Sequence, residues 1–430
     1  MEYRRIHWIK NMDSTFSLLI GVMAVTFFLS CCDREIIEPS PKRNILFYIA
    51  TDADANIDGD VPGKIDQIRA GWKPNQGEML IYADRRGTGA MLLRINNTLT
   101  DGLYSVDTLD IYGIENSADA AVLRRVINKV VNDYPADSYG MIFFSHATGW
   151  LPATTFNYPR SSQLMEQPDR NEANVRSLVI DNGSGVKHEM DYVDFAAAIP
   201  DNLFDFIILE ACLMADVMSM YELRSKAEYV LASSAEIVAP GFFYIYKDKI
   251  MGLYDTKKSV FSIVSEFAQA YHDFVIKSFP ENNAFCSSSL GLIKMSEMNT
   301  LATTVKAALN GKMVSDATLT VDSIQRFDRL RSISNGQKKY RFFDLDNVME
   351  ELATGTQYAA FRTQLGKTVV WKASTKRFLL SDFNGSPDYS DYDGFFFERH
   401  CGLATYIQQS EYPELNAAYE ESSWYQVISD

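Results

Sequence analysis

MIFFSHATGW at residues 141–150 and FDFIILEACLMA at residues 204–215 are the two stretches that decide how this chain is read. Each is a short, almost unbroken apolar run that stops at reactive or polar side chains: Ser145 and His146 in the first, Glu210 and Cys212 in the second. Continuous apolar character, rather than alternation, marks strands covered on both faces. Further runs of this kind stand at 45–50, 79–83, 178–180 and 229–232. Helical spacing fills the intervals. Leu123, Ile127, Val130 and Tyr134 recur at three and four residues within 118–134, with Ser117 as N-cap. Residues 190–198, 213–224 and 258–276 are further helix candidates. Strands alternating with helices predict an α/β fold, a mostly parallel sheet covered on both sides. Gly87 and Gly89, between Tyr82 and Leu92, mark a hairpin or a sheet edge. Beyond residue 310 the pattern predicts helix over 322–366, strands at 367–380 and 401–407, and a loop at 381–393. The expected domains are a core at 44–310 and a smaller subdomain at 311–430 that returns a strand to the sheet.

His146 and Cys212 follow their strands in equivalent places. Open α/β sheets collect their chemistry at the carboxyl ends of parallel strands. If the two strands are neighbours, imidazole and thiol face one crevice, as a nucleophile and its acid–base partner must. A helix beginning near Met214 would add N–H groups that favour the thiolate and stabilise an oxyanion. A cysteine at a strand end is more often a small core residue, so the reading turns on its surroundings.

Those surroundings resemble the clostripain-type cysteine peptidases. FFSHATGW (143–150) is similar to that family's strand-His-Gly-x-Gly-Trp segment, and ILEACLMA (208–215) to its strand-Asp-Ala-Cys-Leu-Met-Gly segment. The likeness continues in Tyr221-Glu222-Leu223, in YVLASSAE (229–236), in the strand at 45–54 and in the turn Tyr134-Pro135-Ala136-Asp137. It extends to Gly402-Leu403-Ala404-Thr405-Tyr406, similar to a late Gly-Leu-x-x-Tyr strand. The resemblance implies a caspase-like three-layer α/β/α sandwich acting on peptides or proteins, with no cofactor required for the chemistry. It implies that Cys212 attacks the scissile carbonyl and His146 protonates the departing amine. The N–H groups of Ala147 and Cys212 would hold the oxyanion. The family aspartate at the base of a pocket selecting Arg or Lys is replaced by Glu210, one methylene longer. Glu236 is a second candidate for that pocket wall. The alternative for Glu210 is a carboxylate paired with a structural Lys or Arg.

Two family glycines are replaced, by Ala147 and Ala215. If position 147 requires a positive φ, alanine costs about 1 kcal/mol or more there. A rival reading follows from these departures: a catalytically inactive surface lipoprotein that binds peptides in a degenerate cleft.

Residues 1–31 read as a lipoprotein signal peptide. Arg4, Arg5 and Lys10 precede an apolar run over 16–29, which is short for a membrane span and suited to a secretory signal. It ends in Leu29-Ser30-Cys31-Cys32, which resembles a lipobox. Cys31, or else Cys32, is the expected lipidation site, and 32–43 a polar tether. The implied location is the bacterial cell envelope, anchored to the membrane through the N-terminal lipid.

The formal net charge of −15 argues against a nucleic-acid partner. Cys286 and Cys401 carry no motif and read as buried free thiols. Asp54, Asn56 and Asp58 match half of an EF-hand loop, but position twelve is Ile65 and Pro62 and Gly63 interrupt it. A complete EF-hand is excluded; a looser Ca²⁺ site is expected less than a solvated acidic turn. The polar stretch 150–176 offers Arg160 and Arg170 as self-cleavage points, or is a simple surface insertion.

Overall fold

The computed structural model describes residues 42–52, 55–74, 77–152, 179–181, 188–283, 285–328, 340–378 and 395–429. Nine strands build the central sheet: β1 Arg43–Ala50, β2 Met79–Arg85, β3 Gly89–Thr100, β4 Leu103–Gly113, β5 Ser138–Phe144, β6 Phe204–Glu210, β7 Ala227–Ser233, β8 Ser289–Lys294 and β9 Val369–Ser374. Their order across the sheet is β9-β8-β7-β6-β5-β1-β2-β3-β4. β7, β6, β5, β1 and β2 run parallel. Hairpins β2–β3 and β3–β4 extend one edge, and β8 and β9 pair antiparallel at the other. The first hairpin turns where the glycine pair stands, with φ 75° at Gly87 and 72° at Gly89. A Cβ at Gly89 would also lie 2.6 Å from the Gly113 carbonyl oxygen, so only glycine fits.

The unbroken apolar runs are explained by two cores, one on each face. Phe47, Ile49, Ile81, Ile142, Phe206 and Ile208 point to one side. There they meet Val61 and Ile68 of α1 (Ala55–Gly71) and Ile263 and Phe267 of a helix at Val260–Ser278. Leu46, Tyr48, Tyr82, Met141, Phe143, Ile207 and Leu209 point to the other. They pack on Leu123, Ile127 and Val130 of α2 (Ala120–Asp133) and on Leu301 and Val305 of a helix at Met298–Leu309. The three layers are helix, sheet, helix. Among the described residues no helix is long and apolar enough to cross a membrane.

Several local expectations change. Residues 178–180 do not enter the sheet; Val179–Asp181 pairs with His188–Met190 in a separate ribbon, because β5 and β6 are already direct neighbours. Asp119, not Ser117, caps α2 and accepts from the Ala121 N–H. Ser117 instead donates its N–H and hydroxyl to Asp181, at 2.6 and 2.9 Å. The helix expected over 213–224 spans only Val217–Glu222, capped by Asp216. In place of 322–366, the described helices are Leu345–Leu352 and Gly355–Thr368. The 367–380 strand enters the sheet as β9, whereas 401–407 yields only Ala404–Thr405, outside it. The 381–393 loop lies outside the described residues.

Candidate active site

Phe143 pairs with Leu209 and Phe144 with Glu210 across β5 and β6. His146 and Cys212 therefore stand two residues beyond the same rung, on adjacent strands with none between. Neighbouring strands lie about 4.8 Å apart, so both residues leave the carboxyl edge of the sheet at the same level on adjacent strands. Each is half-buried. The two loops touch directly. Gly149 has φ 58°, and a Cβ there would lie 2.5 Å from the Leu213 carbonyl oxygen and 2.9 Å from Asp216 Oδ2. The glycine lets the histidine loop lie flat on the cysteine loop.

The nucleophile's loop is laced to the segment following β7. Leu213 N–H donates to Ala235 O and Ala215 N–H to Ser233 O, each at 2.9 Å. Ile237 N–H points at Cys212 Sγ from 3.4 Å, and the sulfur lies 3.9 Å from the Ile237 carbonyl oxygen. This lacing keeps 213–215 out of a helix. The short helix starts five residues beyond Cys212, so the donor on the sulfur is the Ile237 N–H rather than a helix end. Leu213 pays with φ 61°, a left-handed conformation that costs a branched side chain about 1–2 kcal/mol. Ala147 is not among the positive-φ residues, so the alanine there carries no such strain. It is fully buried, and among the described residues no backbone carbonyl accepts from its N–H.

Residues 404 to 419 brace this loop. Ala404 N–H donates to Ala215 O at 2.7 Å, and Ala404 bridges Asp216. Trp150, closing the histidine loop, packs on Tyr406 and Tyr419 with ring centroids 4.8 and 6.0 Å away. The late Gly-Leu-Ala-Thr-Tyr segment thus props both the Cys212 loop and the His146 loop. The signal for it was the resemblance at 402–406 alone.

Glu210 does not line an open pocket. Its carboxylate is almost fully buried and bound to Lys64 Nζ at 2.6 Å. It also accepts the Phe242 N–H and the Tyr246 hydroxyl, both at 2.5 Å. The paired-carboxylate alternative describes it, because its charge is taken up by Lys64 of α1 and by the Phe242 and Tyr246 donors. Glu236 is half-buried beside Ile237, which touches the nucleophile.

The acidic stretch after β1 is helical, not a turn. Asp58 lies in α1, buried, accepting from Thr51 Oγ1 at 3.0 Å and pairing with Arg85 at 3.2 Å. Asp54 and the side chain of Asn56 fall outside the described residues, as do Cys31, Cys32 and Arg160. A different carboxylate group stands nearby: Asp52, Asp84 and Asp181 hold oxygens within 4.8 Å of one another. Burial, then the abutting Asp181 carboxylate, pushes the Asp84 carboxyl up to about 8. Asp84 Oδ2 finds no hydrogen-bond donor among the described residues. Among the described residues Cys212, Cys286 and Cys401 form no disulfide, and the latter two are buried.

A thiol and an imidazole at adjacent strand ends of a three-layer α/β/α sheet define a caspase-like cysteine-peptidase framework. The sequence pattern of the clostripain family matches residues 48–429, and the chain belongs to that family. It is 26% identical to clostripain of Hathewaya histolytica over 239 residues, 49% of this chain and only 41% of that protein. An inactive zymogen C11 protease from Parabacteroides distasonis superposes with a TM-score of 0.72 at 26% identity, covering 92% of this chain and all of that one. A secreted C11 cysteine protease from Bacteroides thetaiotaomicron, in complex with an irreversible peptide inhibitor, has the same fold: TM-score 0.72 at 24% identity, over 91% of this chain and 99% of that one.

Proposed function

We propose that this chain is an active cysteine endopeptidase that cuts after Arg or Lys. The observation that supports the reading is the shared rung of β5 and β6, with His146 and Cys212 each two residues beyond it on adjacent strands. In the reaction, Cys212 Sγ bonds to the scissile carbonyl carbon. The C–N bond breaks as His146 gives its proton to the departing amine. Water, losing a proton to His146, then hydrolyses the thioester and regenerates the thiol. The N–H groups of Ala147 and Cys212 serve the oxyanion, and Glu236 is the carboxylate we assign to the basic side chain of the substrate.

Anchoring at the bacterial cell envelope through Cys31, or Cys32, belongs to the same proposal, as does self-cleavage at Arg160. The lipobox-like residues support the first and the basic residue in the stretch after the histidine supports the second. Ca²⁺ is proposed at Asp52, Asp84 and Asp181, whose all-oxygen donor set and partnerless Oδ2 suit a hard cation. It would supply charge neutralisation away from the thiol and take no part in the bond changes.

The test is hydrolysis of fluorogenic peptides ending in Arg, Lys, Asp or Ala by residues 33–430 and by Cys212→Ala, each with and without Ca²⁺. Cleavage after Arg and Lys, absent in the variant, is expected. Silence on every substrate, from intact and nicked protein alike, would replace the enzyme with a peptide-binding protein. N-terminal sequencing of the purified chain reports cleavage at Arg160, and mass spectrometry of the membrane fraction reports the lipid.

A further inference from the structure

Lys64 enters the sheet's carboxyl edge from α1 and is wholly shielded from solvent. Its ammonium meets Glu210 Oε1 at 2.6 Å, the Pro240 carbonyl oxygen at 2.5 Å and the face of Phe144 at 4.1 Å. A carboxylate, a carbonyl and an aromatic face are what a pocket would present to the ammonium of a lysine substrate. Burial pushes the Lys64 ammonium down, and the Glu210 carboxylate opposes that shift.

This nest borders the nucleophile. Glu210 precedes Cys212 by two residues, and the segment 237–242 runs from one to the other. Ile237 N–H lies on Cys212 Sγ, Pro240 O on Lys64, and Phe242 N–H on Glu210. Gly241, at φ 62°, sits so close that a Cβ would lie 2.2 Å from Glu210 Oε1. Tyr271 packs its ring on Phe242 of the same segment, centroids 4.8 Å apart, and burial raises its hydroxyl, with Glu210, Tyr244 and Cys212 adding to that. Nucleophile and carboxylate thus share one wall, and the deep end of that wall is closed by an internal cation.

We propose that Lys64 is a built-in occupant of the basic-residue subsite beside Cys212, so that Glu210 is removed from substrate recognition. The choice of Arg or Lys then falls on Glu236, half-buried next to Ile237. This rests on the peptidase reading above and names the residue that sets its selectivity. Lys64 is a specificity determinant by exclusion, since it fills the place a long basic side chain would reach.

The experiment compares kcat/KM for peptides ending in Arg, Lys, Gln or Met. The proteins are the wild type, Glu236→Gln, Lys64→Ala, and the charge-neutral pair Lys64→Met with Glu210→Gln. The basic-to-neutral preference is expected to fall at least tenfold in Glu236→Gln and to stay within about twofold in the paired variant. Lys64→Ala, with Glu210 exposed to the substrate, is expected to gain about tenfold in preference for Lys. If Lys64→Ala folds poorly, propylammonium is expected to raise its melting temperature while leaving the wild type unchanged, because the small cation refills the nest. A tenfold loss of basic preference in the paired variant would overturn the proposal and return Glu210 to recognition. So would the absence of any propylammonium effect on a Lys64→Ala protein that gains no preference. A wild type that cleaves only after neutral residues, or nothing, would instead remove the Arg/Lys or the peptidase reading, an outcome visible before any variant is made.

Discussion

Two groups of buried carboxylates sit at the carboxyl ends of parallel strands with two others between them in one sheet, on its opposite faces, and they are handled in opposite ways. Glu210, after β6, is matched by Lys64, the Phe242 N–H and the Tyr246 hydroxyl. Asp84, at the end of β2, abuts Asp181 and Asp52, and its Oδ2 has no donor among the described residues. The first arrangement carries its neutralising charge in the polypeptide. The second must take a proton or a cation from solution. Burial is the same in both; what differs is whether stability depends on the solvent's composition.

Lys64→Met is the sharpest test of the first group. It leaves Glu210 buried without its cation and is expected to lower stability by roughly 3–5 kcal/mol in urea unfolding. Adding Glu210→Gln should recover most of that loss. A loss below about 1 kcal/mol would mean that the pair is not buried as described.

The second group should respond to pH. An Asp84 that titrates near 8 in the folded state keeps its proton where the unfolded chain, near 3.9, has lost it. The native state then binds more protons between those values, so this group's contribution to stability falls as pH rises from about 4 to about 8. Asp84→Asn is expected to flatten that slope in chelator-treated protein and to stabilise it at pH 8 by on the order of 2 kcal/mol. An unchanged slope would dismiss the cluster as an electrostatic burden.

Calcium connects the two effects. At pH 8, saturating Ca²⁺ should raise the melting temperature of the wild type by a few degrees, as binding only the native state requires. Asp84→Asn should show no such rise, and Lys64→Met should keep it in full. The smallest net effect is expected at Leu213→Gly, where relief of the positive φ beside Cys212, about 1–2 kcal/mol, offsets only part of the loss of a buried leucine side chain, leaving a destabilisation of about 1–2 kcal/mol. Its activity should fall at the same time, because the loop that presents Cys212 gains freedom.

The sequence made the sheet legible because its central strands are apolar on both faces, a pattern few other elements share. It made the pair His146 and Cys212 legible because each follows such a run. It hid α1, where Gly59, Pro62 and Gly63 are poor helix formers. There the packing of Val61 and Ile68, with Lys64 and Asp58 buried between strand ends, overrides local preference. Lys64 could not be found from its neighbours in sequence, because its partner is 146 residues away. Ala147 looked strained from the missing glycine, yet the positive φ falls on Leu213, since the lacing to 233–237 bends the chain one step after the nucleophile. The brace from Ala404 was equally hidden; it uses backbone groups, which leave no mark in composition.

That brace sets an order of events during synthesis. The loop bearing Cys212 is translated near the middle of the chain, but its support at Ala215 and Asp216 comes from Ala404. Close to two hundred further residues must be made before the support exists, which takes roughly 10–40 s at the usual rate of elongation. Throughout that interval the nucleophile's loop lacks its prop and Trp150 lacks Tyr406 to rest on. The nascent chain therefore carries His146 and Cys212 long before the contacts that brace their loops can form.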